Sequence, residues 1–139
     1  MINFITGKIS SNFSKKNENK RLSYSGYYDF EDRQFDMMKY SLEKIVAEAE
    51  RKEIYVFTIP THIDLKRYDS LKIPPLSQKL ESFSKEIGVT YLDLLPYMYK
   101  YNQQWKQYYS LPCDGHWNEY GNFVASQYLL NNLPLYTHF

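Results

Sequence analysis

The order of apolar patterns along the chain predicts an α/β fold, a parallel β-sheet with helices packed on its faces. Three observations carry this expectation. A helical apolar face runs through residues 31–52, a β-branched and aromatic run at 54–59 is closed by Pro60, and a second helix-then-strand succession follows over residues 76–94. Strands separated by a helix pair in parallel through a crossover, which calls for a layer of helices over the sheet.

Within the first helix Phe35, Met38, Leu42, Ile45, Val46 and Ala49 recur at the spacing of one helical face, with charged residues opposite. The run Ile54-Tyr55-Val56-Phe57-Thr58-Ile59 is nearly continuous in apolar character, as expected of a strand covered on both sides. Residues 61–75 are polar and read as a long loop leaving that strand's carboxyl end. Leu76, Leu80, Phe83 and Ile87 mark the next helix, and Gly88 stands where a helix end favours a left-handed residue. Residues 89–94 form the second strand, and 96–104 a short helix. The last helix begins near Glu119, with Asn118 as its cap and Tyr120, Phe123, Val124 and Tyr128 at core spacing.

The chain has 139 residues, which suits one domain or part of one. Residues 1–32 read as a flexible, solvated, polar and basic arm, with Lys8, Lys15, Lys16, Lys20 and Arg21 set against Glu18 alone between residues 8 and 21, and a short strand expected at 2–5. The α/β domain is expected over 33–134, and 135–139 as a tail. A net charge of +1 provides no field to recruit nucleic acid. No apolar run is long enough to span a membrane, and the first eight residues are too short and polar for a signal peptide, so the chain reads as soluble with its compartment left open. Cys113 is the only cysteine, so no internal disulfide can form. The 15 tyrosines are the compositional anomaly. They suit clefts that are apolar in body and polar at the tip, and equally a nucleotide bias in the coding DNA.

Chemistry-bearing residues concentrate at Asp114-Gly115-His116-Trp117-Asn118, just ahead of the last helix. A carboxylate beside an imidazole fixes its tautomer and raises its basicity, which prepares it to take a proton from a hydroxyl or from water. Gly115 permits the bend that brings the two side chains together. Taken alone, such a pair is also common on surface loops. His62 and Asp64, after Pro60, would join Asp114 and His116 in a metal-dependent hydrolase, with a solvated loop as the plainer reading. Asp93 reads as a loop cap and Cys113 as an ordinary thiol. Trp105, Tyr108, Tyr109 and Trp117 together could form a wall that stacks on sugars.

The stretch from Pro112 to Ala125, with Asp114, His116, Asn118 and Gly121 ahead of an apolar helix, resembles the last block of the SGNH (GDSL-like) hydrolase superfamily. The resemblance covers about residues 34–133, the family's carboxy-terminal half, and the Asp-x-His-Trp spacing is similar to the alginate O-acetyltransferase branch. It implies a three-layer, flavodoxin-like sheet, incomplete in this chain, and acyl transfer by Ser/His/Asp chemistry on a small ester or acylated carbohydrate, without a cofactor or resident metal. His116 would be the base and Asp114 its orienting partner, with Trp117, Tyr109, Trp105 and His62 near the substrate. The family's Gly-Asp-Ser and oxyanion-hole blocks have no counterpart here, so the nucleophile is unassigned. Ser23 and Ser25 beside Gly26 lack the expected strand-to-helix turn, and Ser126 falls inside a helical pattern. The competing expectation is a catalytically incomplete binding module that associates with itself or with a complementing polypeptide.

Overall fold

The computed structural model describes residues 24–50, 52–101, 109, 111 and 116–134. They form a mixed α/β unit in the order α1 (Asp32–Glu48), β1 (Tyr55–Phe57), α2 (His62–Leu71), α3 (Pro75–Glu86), β2 (Thr90–Leu92), α4 (Leu94–Tyr101) and α5 (Glu119–Asn132). Among the described residues the sheet has two strands. These are parallel, in the register Tyr55↔Thr90, Val56↔Tyr91 and Phe57↔Leu92. Both strands are shorter than the apolar runs that announced them. Past Phe57 and Leu92 the side chains of Thr58 and Asp93 enter polar contacts, and Leu94 already begins a helix.

α1 starts at a capping box in which the Glu31 N–H donates to Gln34 Oε1 at 2.8 Å. It ends at its cap Ala49, where the apolar periodicity also stops, short of the expected residue 52, and Glu50 follows with φ of 55°. None of its residues is fully buried. Phe35, Met38, Leu42, Val46 and Ala49 are half-buried, whereas Ile45 is 53% exposed. Contact with α3 includes the edge-on rings of Phe35 and Phe83, 6.4 Å apart, and the Lys79–Asp32 pair at 2.7 Å.

The expected loop over 61–75 is instead largely helix α2. Thr61 caps it: its hydroxyl accepts from the Asp64 N–H, while Asp64 Oδ2 accepts from the Thr61 N–H at 2.7 Å. Residues His62 to Leu71 are too polar for periodicity to reveal, because the helix is held at one end by a cap and inward by Leu65, which is 2% exposed. α3 carries Pro75 at its first position, buries Leu80 and Phe83, and ends before Gly88 at φ 72°, as its sequence implies. α4 begins two residues ahead of the expected Pro96, because Asp93 Oδ1 accepts from the Leu95 N–H at 3.0 Å and starts the helix there. Pro96 falls in the first turn, where its missing N–H costs no intrahelical bond.

The core lies where α4 packs between α2 and α5. Leu94, Leu95 and Met98 are wholly buried, with Leu65, Val124 and Ala125 around them. Gly121, Val124, Ala125 and Tyr128 form the inward face of α5, whereas Phe123, expected inside, is 57% exposed. Residues 24–32, expected as the end of a solvated arm, are also built into this unit. Ser25 and Tyr27 are buried, the Asp29 N–H donates to the Ser25 carbonyl at 2.9 Å, and the Leu76 N–H donates to the Tyr27 carbonyl at 3.2 Å. The arm from 1 to 23, its proposed strand and the tail from 135 lie outside the described residues.

Burying so many tyrosines ties stability to alkaline pH. Burial, and then the nearby Asp93 carboxylate, push the Tyr27 phenol far above its usual range; burial likewise raises Tyr91 and Tyr109, and lifts Tyr28 to about 12. A phenol raised in the folded state contributes stability that is intact below the unfolded value of about 10 and is lost as pH rises above it toward the folded value, by at most about 1.4 kcal/mol per pH unit for a buried group such as Tyr27 and less for the partly exposed Tyr28. We expect the thermal midpoint to be flat from neutrality to about pH 10 and to fall steeply above it. Tyr27→Phe should lower the neutral midpoint, through the lost hydroxyl contact, and shallow the alkaline slope; an unchanged slope would refute Tyr27 as a contributor.

Candidate functional site

Side chains with chemical potential gather beyond the carboxyl ends of the two strands, where open parallel sheets place their sites. β1 continues into Thr58 and β2 into Asp93. The Tyr27 hydroxyl donates to Thr58 Oγ1 at 2.5 Å and lies 3.4 Å from Asp93 Oδ1, and the Thr58 and Tyr91 hydroxyls share a hydrogen bond of 3.1 Å. This cluster fastens the 24–29 turn to both strands. Asp93, read from sequence as a cap, does cap α4 and also sits beside Tyr27.

The block ahead of α5 reaches the same end of the sheet. Trp117 is half-buried against the core, and its indole Nε1 donates to the Pro60 carbonyl at 2.9 Å. The backbone around it is clamped on both sides. The Leu111 N–H donates to the His116 carbonyl and the Asn118 N–H to the Tyr109 carbonyl, each at 2.8 Å. Asn118 then caps α5, its Oδ1 accepting from the Gly121 N–H at 2.9 Å. Gly121 is where the first turn of α5 meets this clamp: a Cβ there would lie 2.6 Å from the Tyr109 carbonyl oxygen and 3.0 Å from Trp117 Cβ. His116 is left solvent-exposed, its carbonyl held by the Leu111 N–H, next to the residue that grips the exit of β1. His62 is also exposed, at the first position of α2, two residues beyond Pro60.

Other expected site residues fall elsewhere. Asp114, Trp105, Tyr108 and Cys113 lie outside the described residues. Tyr109 does not offer a stacking face to solvent: it is 1% exposed, its hydroxyl donates to the Met98 carbonyl at 2.8 Å, and its ring stacks on Tyr120 at 5.6 Å. Trp117 acts as a pin beneath the loop, its polar end already committed to Pro60.

Ser25 is not an exposed nucleophile. It is 0% exposed, and its Oγ donates to Asp64 Oδ1 at 2.5 Å, with no imidazole shown as its partner among the described residues. Asp64, 2% exposed, accepts on its other oxygen from both the N–H and the hydroxyl of Thr61, each at 2.7 Å. Its oxygens therefore serve protein donors, and among the described residues no three His, Cys, Asp or Glu side chains converge as a metal would need. Sequence reading missed this buried clamp. The pattern Thr61-x-x-Asp64 was the available signal, a capping box one residue after Pro60. Around Ser25, the Asp29 carboxylate accepts from the Ser25 N–H at 3.0 Å and pairs with Arg67. Partial burial pushes its carboxyl up, yet the Ser25 N–H and the Arg67 guanidinium outweigh that and hold it below the usual range.

In comparisons with protein-family models, curated proteins and solved structures, the chain has no match.

Two substitutions test this geometry. Replacing a helical glycine with alanine ordinarily stabilises by about 1 kcal/mol. Gly121→Ala should instead lose about 1–3 kcal/mol in urea unfolding, because the backbone carbonyl of Tyr109 cannot swing aside like a side chain; a gain in stability would disprove the close approach. Ser25→Ala should cost about 1.5–3 kcal/mol, the scale of a hydrogen bond to a charged group, and a neutral effect would show the Asp64 clamp to be dispensable.

Proposed function

We propose that the chain carries the His/Asp part of an SGNH-type acyl-transfer site, in an ester hydrolase or O-acyltransferase built on a three-layer, flavodoxin-like sheet. One observation carries the reading. His116 is exposed on a backbone clamped at Tyr109 and Leu111, beside Trp117, whose indole holds the loop leaving the carboxyl end of β1. A general base needs this combination of access and fixed backbone, at the end of the sheet where substrates collect.

In the proposed reaction His116 takes the proton of a hydroxyl nucleophile as that oxygen bonds to the ester carbonyl carbon. The bond to the alcohol oxygen then breaks, and His116 returns the proton to the leaving alcohol. Water or a sugar hydroxyl reverses the sequence, releasing a free acid or a new ester. Asp114 orients the imidazole and stabilises its charged form. The nucleophile is a serine other than Ser25, whose hydroxyl is enclosed and given to Asp64.

A fluorophosphonate probe, which reacts with activated serines, tests this directly. Labelling of the full chain that is abolished in His116→Ala and retained in Ser25→Ala is the expected result. Absence of label, together with no hydrolysis of p-nitrophenyl acetate, would overturn the hydrolytic reading for this chain. It would favour a binding module instead, for which the exposure of Phe57 and Ile59 at 42% and 63%, in and just beyond β1, already speaks.

A further inference from the structure

α5 turns an apolar side to solvent. Its apolar residues fall on all sides rather than on one, the distribution of a helix that is covered all round. One side is accounted for. Val124 and Ala125 are buried in the core with α4, and Gly121 is buried against Trp117. The opposite side is open: Phe123 is 57% exposed, Leu130 49% and Tyr120 38%. At about 3.6 residues per turn Phe123, Ser126 and Leu130 share one stripe, with Tyr120 and Gln127 along its border.

Single exposed apolar residues are ordinary on a protein surface. A run of them along one helix face, without charge between them, is the mark of an interaction surface. Glu119, at the amino end, is the only charged residue of α5. The other helices turn charge to solvent, with Arg33 on α1, Lys66 on α2, Glu81 on α3 and Lys100 on α4. The one hydroxyl within the stripe needs no water, because Ser126 Oγ donates to the Phe123 carbonyl at 2.8 Å. Covering this face therefore removes apolar surface from water at little desolvation cost, and the small Ser126 at its middle lets a second helix approach closely.

Charge selects the occupant. The stripe offers no cation to an acidic partner or an anionic lipid, and it is complementary to another uncharged, apolar helix face. Among the described helices the face of that kind is its own. We propose that two copies of the chain associate through this face, with their α5 helices antiparallel about a two-fold axis beside Ser126 and Gln127. That arrangement sets Phe123 of each copy against Leu130 of the other. It also holds the two Glu119 carboxylates at opposite ends of a helix about 21 Å long, whereas parallel helices would bring them together. The second copy's α5 then ends beside Tyr120, four residues from His116. One helix on one helix buries less than the total of about 1,200 Å² of stable complexes, so the dimer is weak and depends on concentration. The inference is independent of the acyl-transfer reading, since it uses none of the residues assigned to that reaction.

Sedimentation equilibrium of the full chain from about 5 to 500 µM, the range of weak interfaces, is the test. A reversible equilibrium between monomer and dimer is expected. Phe123→Glu and Leu130→Lys should each weaken it at least about tenfold, because a charge is brought into an apolar contact. The thermal midpoint of dilute protein should stay unchanged, since both side chains lie outward. An equimolar mixture of the two variants should associate more tightly than either alone: the mixed dimer keeps one contact of Phe123 with Leu130 and pairs the introduced charges across the axis. A monomer throughout the range, unaltered association in both variants, or a mixture no tighter than its components overturns the proposal. Lowered midpoints in both variants would do the same, by assigning the stripe to the fold. A monomer that instead sediments with phosphatidylcholine vesicles would overturn it in favour of a lipid surface.

Discussion

A buried carboxylate must be surrounded by donors, and the donors that Asp64 gathers determine much of the rest of the structure. Its oxygens accept from Ser25 Oγ on one side and from the Thr61 N–H and hydroxyl on the other. The first contact draws the 24–29 turn against the helices. The second starts α2 immediately beyond Pro60. With the turn in place, Tyr27 reaches Thr58 and Asp93, so both strand ends are tied to a segment that precedes them by many residues. With α2 started at His62, Leu65 enters the core beside α4. Leaving a donor or acceptor unpartnered there would cost about 1–3 kcal/mol, more for the charged group. The clamp therefore selects one arrangement among the many that an apolar core alone would tolerate.

Its influence extends to the candidate catalytic end through one carbonyl. Pro60 lies between β1 and the Thr61 cap, and its oxygen receives the Trp117 indole. Trp117 in turn packs against Gly121, where only the absence of a side chain lets α5 approach the Tyr109 backbone. His116 stands at the end of this chain of contacts, its carbonyl bonded to the Leu111 N–H and its side chain exposed. Access to solvent beside backbone held by hydrogen bonds is a condition under which an imidazole can serve as a base. The buried tyrosines act in the opposite sense. Tyr27 and Tyr109, buried, and Tyr91, half-buried, are held neutral, and their hydroxyls serve as links between elements.

Legibility in the sequence followed the strength of local signals. α3, with proline at its start and glycine past its end, is readable because both residues act through their own backbone. α5 is equally readable at Asn118, whose side chain caps its own helix. α2 escaped because its apolar residues are few and its cap involves an aspartate that also serves a serine far away in sequence. Phe123 was misplaced for a related reason: on α5 the inward face is decided by which residues are small enough to meet Trp117 and Tyr109, and Gly121 and Ala125 win over the larger ring.

What the residues determined unaided are the α/β alternation, the parallel pairing of β1 with β2, and the Asn118 cap that starts α5. Periodicity, turn residues and capping are properties of neighbours, so they survive without a fold. The destination of each polar side chain was decided only by tertiary structure. Ser25 went inward to Asp64 and Tyr109 inward to the Met98 carbonyl. A hydroxyl looks the same in sequence whether it faces solvent, a carboxylate or a backbone carbonyl. The difference lies in which distant group is folded against it, and that depends on the packing of the whole chain.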